Sequence, residues 1–304
     1  MLLSKQLKGS LIALLATITF SNVYIFSKLA MQDVNLASFG ILWFGLALVW
    51  NTLFNRIKKT NHRFHDLSKR SKQTLILISC SELIATSAFF LAIQLTPNPT
   101  IVSFLANTSP IFVIILGFFF LKERFTYPEI AGVFLTILGV GLINFTDEGF
   151  QLKELNSPAS LATFTFAFFY GVSLVLAKTK VGILPSAMIT QYRNAALWLA
   201  FILFNLYHFE LPSYSQESIV YIIIGSLFGP FLGTILTFSA LKYIEASKVT
   251  LIITSRSFFI ILGSFIFMGI LPSQNQFIGG ILTIIGIIVI SISGMWKNKK
   301  NSNR

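Results

Sequence analysis

Acidic residues are scarce in this chain. Its 304 residues include 11 Asp and Glu, three His and one cysteine, and charged residues of both signs make up only 11%. A soluble domain carries about 25% charged residues and uses them to cover its surface. So low a content excludes a soluble enzyme, a disordered chain and a nucleic-acid-binding module. The lone thiol, Cys80, excludes an internal disulfide and a cysteine-built metal site. Neither a P-loop nor a dinucleotide-binding glycine fingerprint is present, so the chain has no nucleotide-driven motor of its own. No nucleophile stands with a base in a pattern that supports catalysis. The chain therefore reads as a non-enzyme that needs no cofactor.

What is abundant is apolar. Hydrophobic residues make up 54%, Phe alone occurs 32 times, and mean hydropathy is +0.76. A helix that crosses a bilayer needs about 20 apolar residues. Ten segments qualify: 10–31, 36–56, 73–95, 99–121, 128–146, 158–177, 186–208, 218–241, 247–270 and 275–296. Short polar connections separate them, often with breakers such as Thr96-Pro97-Asn98-Pro99 and Leu184-Pro185-Ser186. The first run follows Lys5 and Lys8, as a secretory leader would. It continues to Met31 without a persuasive small-residue cleavage site, so it reads as a retained first span.

The basic residues orient these spans. With the N-terminus inside, 19 of the 23 Lys and Arg fall on the cytoplasmic side and only Lys153 falls clearly outside. Lys28, Arg193 and Arg256 lie within spans. This bias places both termini in the cytoplasm and requires an even number of spans. It also accounts for the net charge of +12 without nucleic acid as a partner. The expected partners are the lipid bilayer and a small-molecule substrate. Monomer and homodimer remain equally open.

A repeat emerges at an offset of 147 residues. Phe112, Ile114, Phe118 and Phe120 recur as Phe259, Ile261, Phe265 and Phe267. Gly132, Leu135, Thr136, Ile137 and Gly139 recur as Gly279, Leu282, Thr283, Ile284 and Gly286. Glycines and a threonine in shared register are harder to match by chance than apolar residues. The chain thus divides into halves 1–147 and 148–304. Five spans per half is odd, so the second half enters the membrane in the opposite sense. Inverted repeats are a recurrent plan of secondary transporters, with the substrate near the midplane.

The sequence Ser109-Pro110-Ile111-Phe112, followed by Leu121-Lys122-Glu123-Arg124-Phe125, Gly132 and Gly139-Val140-Gly141, resembles the EamA family of the drug/metabolite transporter superfamily. Ser21-Asn22 and Lys28 resemble the family's first-helix pattern, and Arg193 its second-helix arginine. The chain departs from that pattern where Ser257 replaces a second-half proline and Ile270 a second-half glutamate. The resemblance implies a cavity surrounded by helices 1–4 and 6–9, with helices 5 and 10 peripheral. It implies export of amino acids or other metabolites. It further implies a bacterial cell membrane as the location.

Ionisable groups inside spans cost about 2.5–3.5 kcal/mol each on insertion scales, so those present mark function by default. Glu82 lies about 15 Å into the third span. It is a candidate for proton coupling or for binding a substrate amine, or else a fixed partner of Arg193, Arg256 or Lys28. Arg256 and Arg193 are candidates for contact with a substrate anion. Asn22, Tyr24, Asn107 and Tyr170 complete the candidate substrate-binding set. Polar residues at helical spacing define faces: Thr17, Ser21, Tyr24 and Lys28; Glu82, Thr86 and Gln94; Ser103, Asn107 and Pro110; Thr163, Phe166, Tyr170 and Ser173; Ser226, Pro230, Thr234 and Thr237. Each face alone fits helix–helix contact, and together they fit a water-accessible pocket. Pro110 and Pro230 predict kinks. The glycines of the fifth and tenth spans predict close helix packing. The expectation is an all-α membrane protein of ten spans in two inverted halves. It would export small amphipathic metabolites by alternating access, with proton coupling through Glu82. The alternatives are an uncoupled facilitator or channel, and a flippase of a lipid-linked substrate.

Overall fold

The computed structural model describes residues 4–59, 64–95, 102, 105–144, 157–208, 214–268, 271 and 273–302, excepting the side chains of Tyr24, Asn144, His208, 263–268 and 294–302. The connection Thr96-Pro97-Asn98-Pro99 lies outside these residues. Among the described residues every regular element is a helix. In chain order these are α1 (Lys5–Ala30), α2 (Leu36–Ile57), α3 (Lys69–Leu95), α4 (Ser109–Leu121), α5 (Tyr127–Asn144), α6 (Pro158–Thr179), α7 (Ser186–His208), α8 (Gln216–Ala240), α9 (Ala246–Thr254), α10 (Arg256–Met268) and α11 (Gln274–Ser302). Six helices, α1, α2, α3, α6, α8 and α11, are long and apolar enough to cross a membrane, and α4 and α5 are shorter apolar helices. Large apolar side chains such as Phe119, Phe120 and Phe134 are exposed on the outside. A water-facing surface rarely tolerates such rings in number; a lipid-facing one requires them.

Side-chain caps start many of the helices. Asn35, Ser157 and Ser215 accept from Ser38 N, Ser160 N and Ser218 N at 2.8, 3.2 and 3.1 Å. Helices α5 and α11 open with a matching side-chain cap from their third residue, and in α11 Ser273 returns the bond by accepting from Gln276 N at 3.3 Å. Glu129 Oε2 accepts from Thr126 N at 2.7 Å, and Gln276 Oε1 accepts from Ser273 N at 3.0 Å. Each thereby satisfies a backbone donor that the helix itself leaves unpaired.

Three of the expected spans depart from regular α geometry, two by a break and one by a π segment. The expected ninth span is two helices, α9 and α10, separated at Ser255. The expected fourth span turns at Asn107–Thr108, and α4 begins anew at Ser109. In both places a hydroxyl folds back onto a carbonyl three residues earlier, Thr108 to Leu105 at 2.6 Å and Ser255 to Ile252 at 2.7 Å. Such bonds compete with the helix ladder. Pro110 therefore sits at the start of a helix, where its missing N–H costs nothing, and not in the middle of a kinked one. Pro230 lies inside a wide-turned π segment of α8, Leu227–Gly233.

The principal helix pairings are α3 with α6, α2 with α7, α1 with α8, and α5 with α11. The α2–α7 seam is stitched by polar groups, with Asn51 donating to the Ala187 carbonyl at 3.0 Å and Asn55 to Gln191 at 2.8 Å. The α5–α11 seam is stitched by absence. Gly132 faces Gly286 and Gly139 faces Gly279, with backbones so close that an added Cβ at Gly139 would lie 2.5 Å from the Gly279 carbonyl. Thr136 and Thr283, fully buried, turn their hydroxyls back onto Gly132 and Gly279. Gly141 meets nothing within 4 Å and takes no part in the seam.

The core forms two main clusters. One includes Leu75, Val113, Leu174, Leu241 and Val249; the other includes Phe39, Trp43, Phe89, Phe90 and Phe201. The cavity described below takes walls from both. Replacing Gly139 by Ala should destabilise the fold by about 1–3 kcal/mol, the usual cost of overpacking. Gly141→Ala should leave it unchanged. Thermal unfolding of the detergent-solubilised variants checks the contrast.

Candidate functional site

Near the middle of the fold, α3 presents Glu82 and α7 presents Arg193. Both are buried, with side chains 4% and 10% exposed. Arg193 Nε donates to Glu82 Oε2 at 2.6 Å. Ser173 on α6 donates to the other carboxylate oxygen of Glu82. The remaining guanidinium nitrogens of Arg193 reach Thr86 at 3.1 Å and Asn194 at 2.8 Å. The guanidinium carbon also lies 5.9 Å from the Phe44 ring centre. Asn194 in turn donates to the Pro230 carbonyl at 2.9 Å, inside the π segment of α8. Asn194 thus ties the ion pair to the irregular part of α8.

A cavity of about 100 Å³ borders this network. At about 10–15 Å³ per water site on this measure, it has room for a small molecule. Glu82, Thr86, Arg193 and Arg256 supply its polar wall. Phe20, Trp43, Phe44, Phe89, Phe90, Phe166, Tyr170 and Phe238 supply its aromatic wall, with Phe166 and Tyr170 stacked at 5.6 Å. Gly229, Pro230, Thr234 and Thr237 bring the polar stripe of α8. The charged lining is one carboxylate and two guanidiniums.

The candidate residues divide accordingly. Glu82, Arg193, Arg256 and Tyr170 line one cavity. Of the partners weighed for Glu82, the structure pairs it with Arg193. Asn22 bonds back to the Ile18 carbonyl at 2.9 Å and does not line the cavity. Asn107 donates to Ser257 at 3.2 Å, bridging the two helix breaks, and likewise lies off the lining. The Tyr24 side chain and Ser103 fall outside the described residues. Lys28 and Gln94 are exposed. The sequence reading does not single out Asn194. Its signal is there, as a second polar residue beside Arg193 in an apolar helix. Among the described residues no group of three His, Cys, Asp or Glu is arranged to hold a metal ion.

Buried apolar helices around a central charged cavity define a multi-pass membrane protein, and comparison with known proteins names its class. The profile of the EamA-like transporter family matches residues 7–145 and 157–292. The chain belongs to that family. It is 22% identical over 249 residues to an uncharacterized transporter of Synechocystis sp., across 77% of this chain and 70% of that one. Over 200 residues it is 26% identical to the uncharacterized transporter YdfC of Bacillus subtilis, across 63% of this chain and 62% of that one. An uncharacterized transporter of Methanothermobacter thermautotrophicus is 22% identical over 305 residues, covering 95% of this chain and 88% of its own. A solved crystal structure shares the fold with a TM-score of 0.80 at 15% identity, over 94% of this chain and 96% of that one.

An ion pair buried this deeply is held by the completeness of its hydrogen bonding, because desolvation offsets much of the Coulomb gain. Arg193→Ala should therefore destabilise the protein by about 3–5 kcal/mol, the cost of leaving a buried charge uncompensated. The double variant Glu82→Gln/Arg193→Gln should recover much of that loss. Thermal unfolding in detergent distinguishes the two, and equal losses would mean the pair is not coupled.

Proposed function

We propose that this protein is a secondary transporter that exports a small amphipathic metabolite, such as an amino acid, by alternating access. One observation carries the reading: a single cavity brings together Glu82, Arg193, Arg256 and a wall of aromatic rings. Arg256 offers a guanidinium for a substrate carboxylate. Glu82 offers a carboxylate for a substrate amine or for a coupling proton. Protonation of Glu82 would weaken its bond to Arg193 and loosen the connection through Asn194 to α8. The aromatic wall receives the apolar part of the substrate.

Ten spans in two inverted halves, 1–147 and 148–304, underlie this mechanism in our reading. The twofold match of the family profile supports it. So does the pairing of helices. Exchanging the halves turns α1–α8 into α6–α3 and leaves α2–α7 and α5–α11 paired with themselves. The seam contacts Gly132–Gly286 and Gly139–Gly279 also exchange under the 147-residue offset. The matched capping pairs of α5 and α11 and the matched breaks at Thr108 and Ser255 agree with it. A broken helix at corresponding positions of two halves is a common border of a transport site. With both termini in the cytoplasm of a bacterial cell, the turns after α4, α6 and α8 face inward.

Uptake into inside-out vesicles tests the proposal with labelled amino acids, nucleosides and organic acids, with and without a pH gradient. Gradient-driven accumulation should appear for at least one class. Glu82→Gln should abolish the gradient's effect, and Arg256→Gln should lower saturable uptake of carboxylate-bearing substrates. Saturable flux that only equilibrates, unaltered by Glu82→Gln, would make the protein an uncoupled facilitator and Glu82 a structural partner of Arg193.

A further inference from the structure

The end of the fold that carries the α4–α5 and α8–α9 turns holds a second set of charges, outside the central cavity. Helix α4 ends at Lys122, whose φ of 57° reverses the chain. The reversal folds the Glu123 carboxylate back over Gly117, where a Cβ would lie 2.9 Å from Glu123 Oε2. Glu123 then accepts from the backbone N–H groups of Ala246 and Ser247 at 2.8 and 3.2 Å, and from the Ser247 hydroxyl. It caps α9 from another part of the chain, because the residue at the cap position, Glu245, makes no such bond. A carboxylate at that point also meets the positive end of the helix. One turn on, buried Lys248 pairs with Glu129 and lies 3.2 Å from Glu245. Glu129 serves two elements at once: one oxygen caps α5 and the other holds α9.

Helix α9 lies between these charges and the cavity. All nine of its residues are buried, and its Ile253 lines the cavity. The break at Ser255 makes it a short, separate piece. The repeat gives the comparison that matters. Under the 147-residue offset Glu123 corresponds to Ile270, Glu129 to Gln276 and Lys248 to Ile101. Gln276 keeps the capping duty of Glu129 but has no charge for a lysine. The ionic contacts therefore have counterparts without charge in the other half.

We propose that Glu123, Glu129 and Lys248 form a one-sided clasp that holds α9 against the α4–α5 turn and keeps the cavity shut toward the cytoplasm. The proposal rests on the inverted-repeat transporter reading. The clasp must open for substrate to enter from inside, and the corresponding positions of the other half, 270, 276 and 101, carry no charge with which to match it. The resting population is thereby biased toward the state closed on the cytoplasmic side.

The test uses Thr237→Cys as a reporter in a Cys80→Ser background, because Thr237 lines the cavity on α8. Labelling by a membrane-impermeant maleimide is timed in inside-out and right-side-out vesicles. The parent should label slowly from the cytoplasmic face. Glu123→Ala, and the charge-neutral pair Glu129→Gln/Lys248→Met, should each label about tenfold faster from that face, as a population shift of modest energy produces. The paired variant removes both buried charges together, so it remains decisive if Glu123→Ala fails to insert. Unchanged cytoplasmic rates with one-sided labelling of the parent would overturn the clasp and leave alternating access standing. Rapid labelling of the parent from both faces would overturn the transporter reading itself.

Discussion

The ion pair between Glu82 and Arg193 is the interaction on which the centre of this molecule depends. It joins α3 to α7, and its satisfaction draws in two further helices. Ser173 comes from α6 because α6 packs along α3. Asn194 reaches α8 at the Pro230 carbonyl, within the π segment. A low-dielectric site makes each of these bonds strong and each omission expensive. Four helices are thus held at one depth by two charges and three neutral polar groups. The cavity beside them is walled mainly by aromatic rings and by a guanidinium on α10, with Val23 and Ile253 as its aliphatic lining.

The two long seams follow opposite rules. Between α2 and α7, asparagine side chains reach across and fix the register by direction. Between α5 and α11, glycines remove side chains and let backbones touch, and the threonine hydroxyls are spent within their own helices. In lipid there is little hydrophobic drive to press helices together, so close contact and hydrogen bonds must do it. The glycine seam sits apart from the cavity and the asparagine seam borders it.

Much of this could be read from the residues before any coordinates. Apolar length located most of the helices, because the bilayer calls for a similar length in each, but not the interruptions of the expected fourth and ninth spans at Thr108 and Ser255. Glu82, Arg193 and Arg256 stood out because charge is expensive in that setting. The glycines at an offset of 147 announced a contact that the structure contains, although Gly141 is no part of it. Other features were not legible. Asn22 and Asn107 carry the same chemistry as Asn194, and only the rotation of each helix decides that Asn194 meets the arginine. The break at Ser255 has neither proline nor glycine to mark it. Glu123 looked like part of a turn motif, and its role as a cap for α9 depends on a contact 123 residues away.

The π segment in α8 has a further consequence. A π turn carries surplus chain relative to an α turn, as if one residue had been inserted. Over Leu227–Gly233 that surplus offsets every side chain below it by about 100° from the face it would otherwise occupy. Thr234, Thr237 and Phe238 reach the cavity from this shifted register. Helix α8 thus contains two phases of one screw, joined at a washer. A shortening by a single residue there would turn the lower half of the helix as a key turns in a lock, while the upper half stayed where it is.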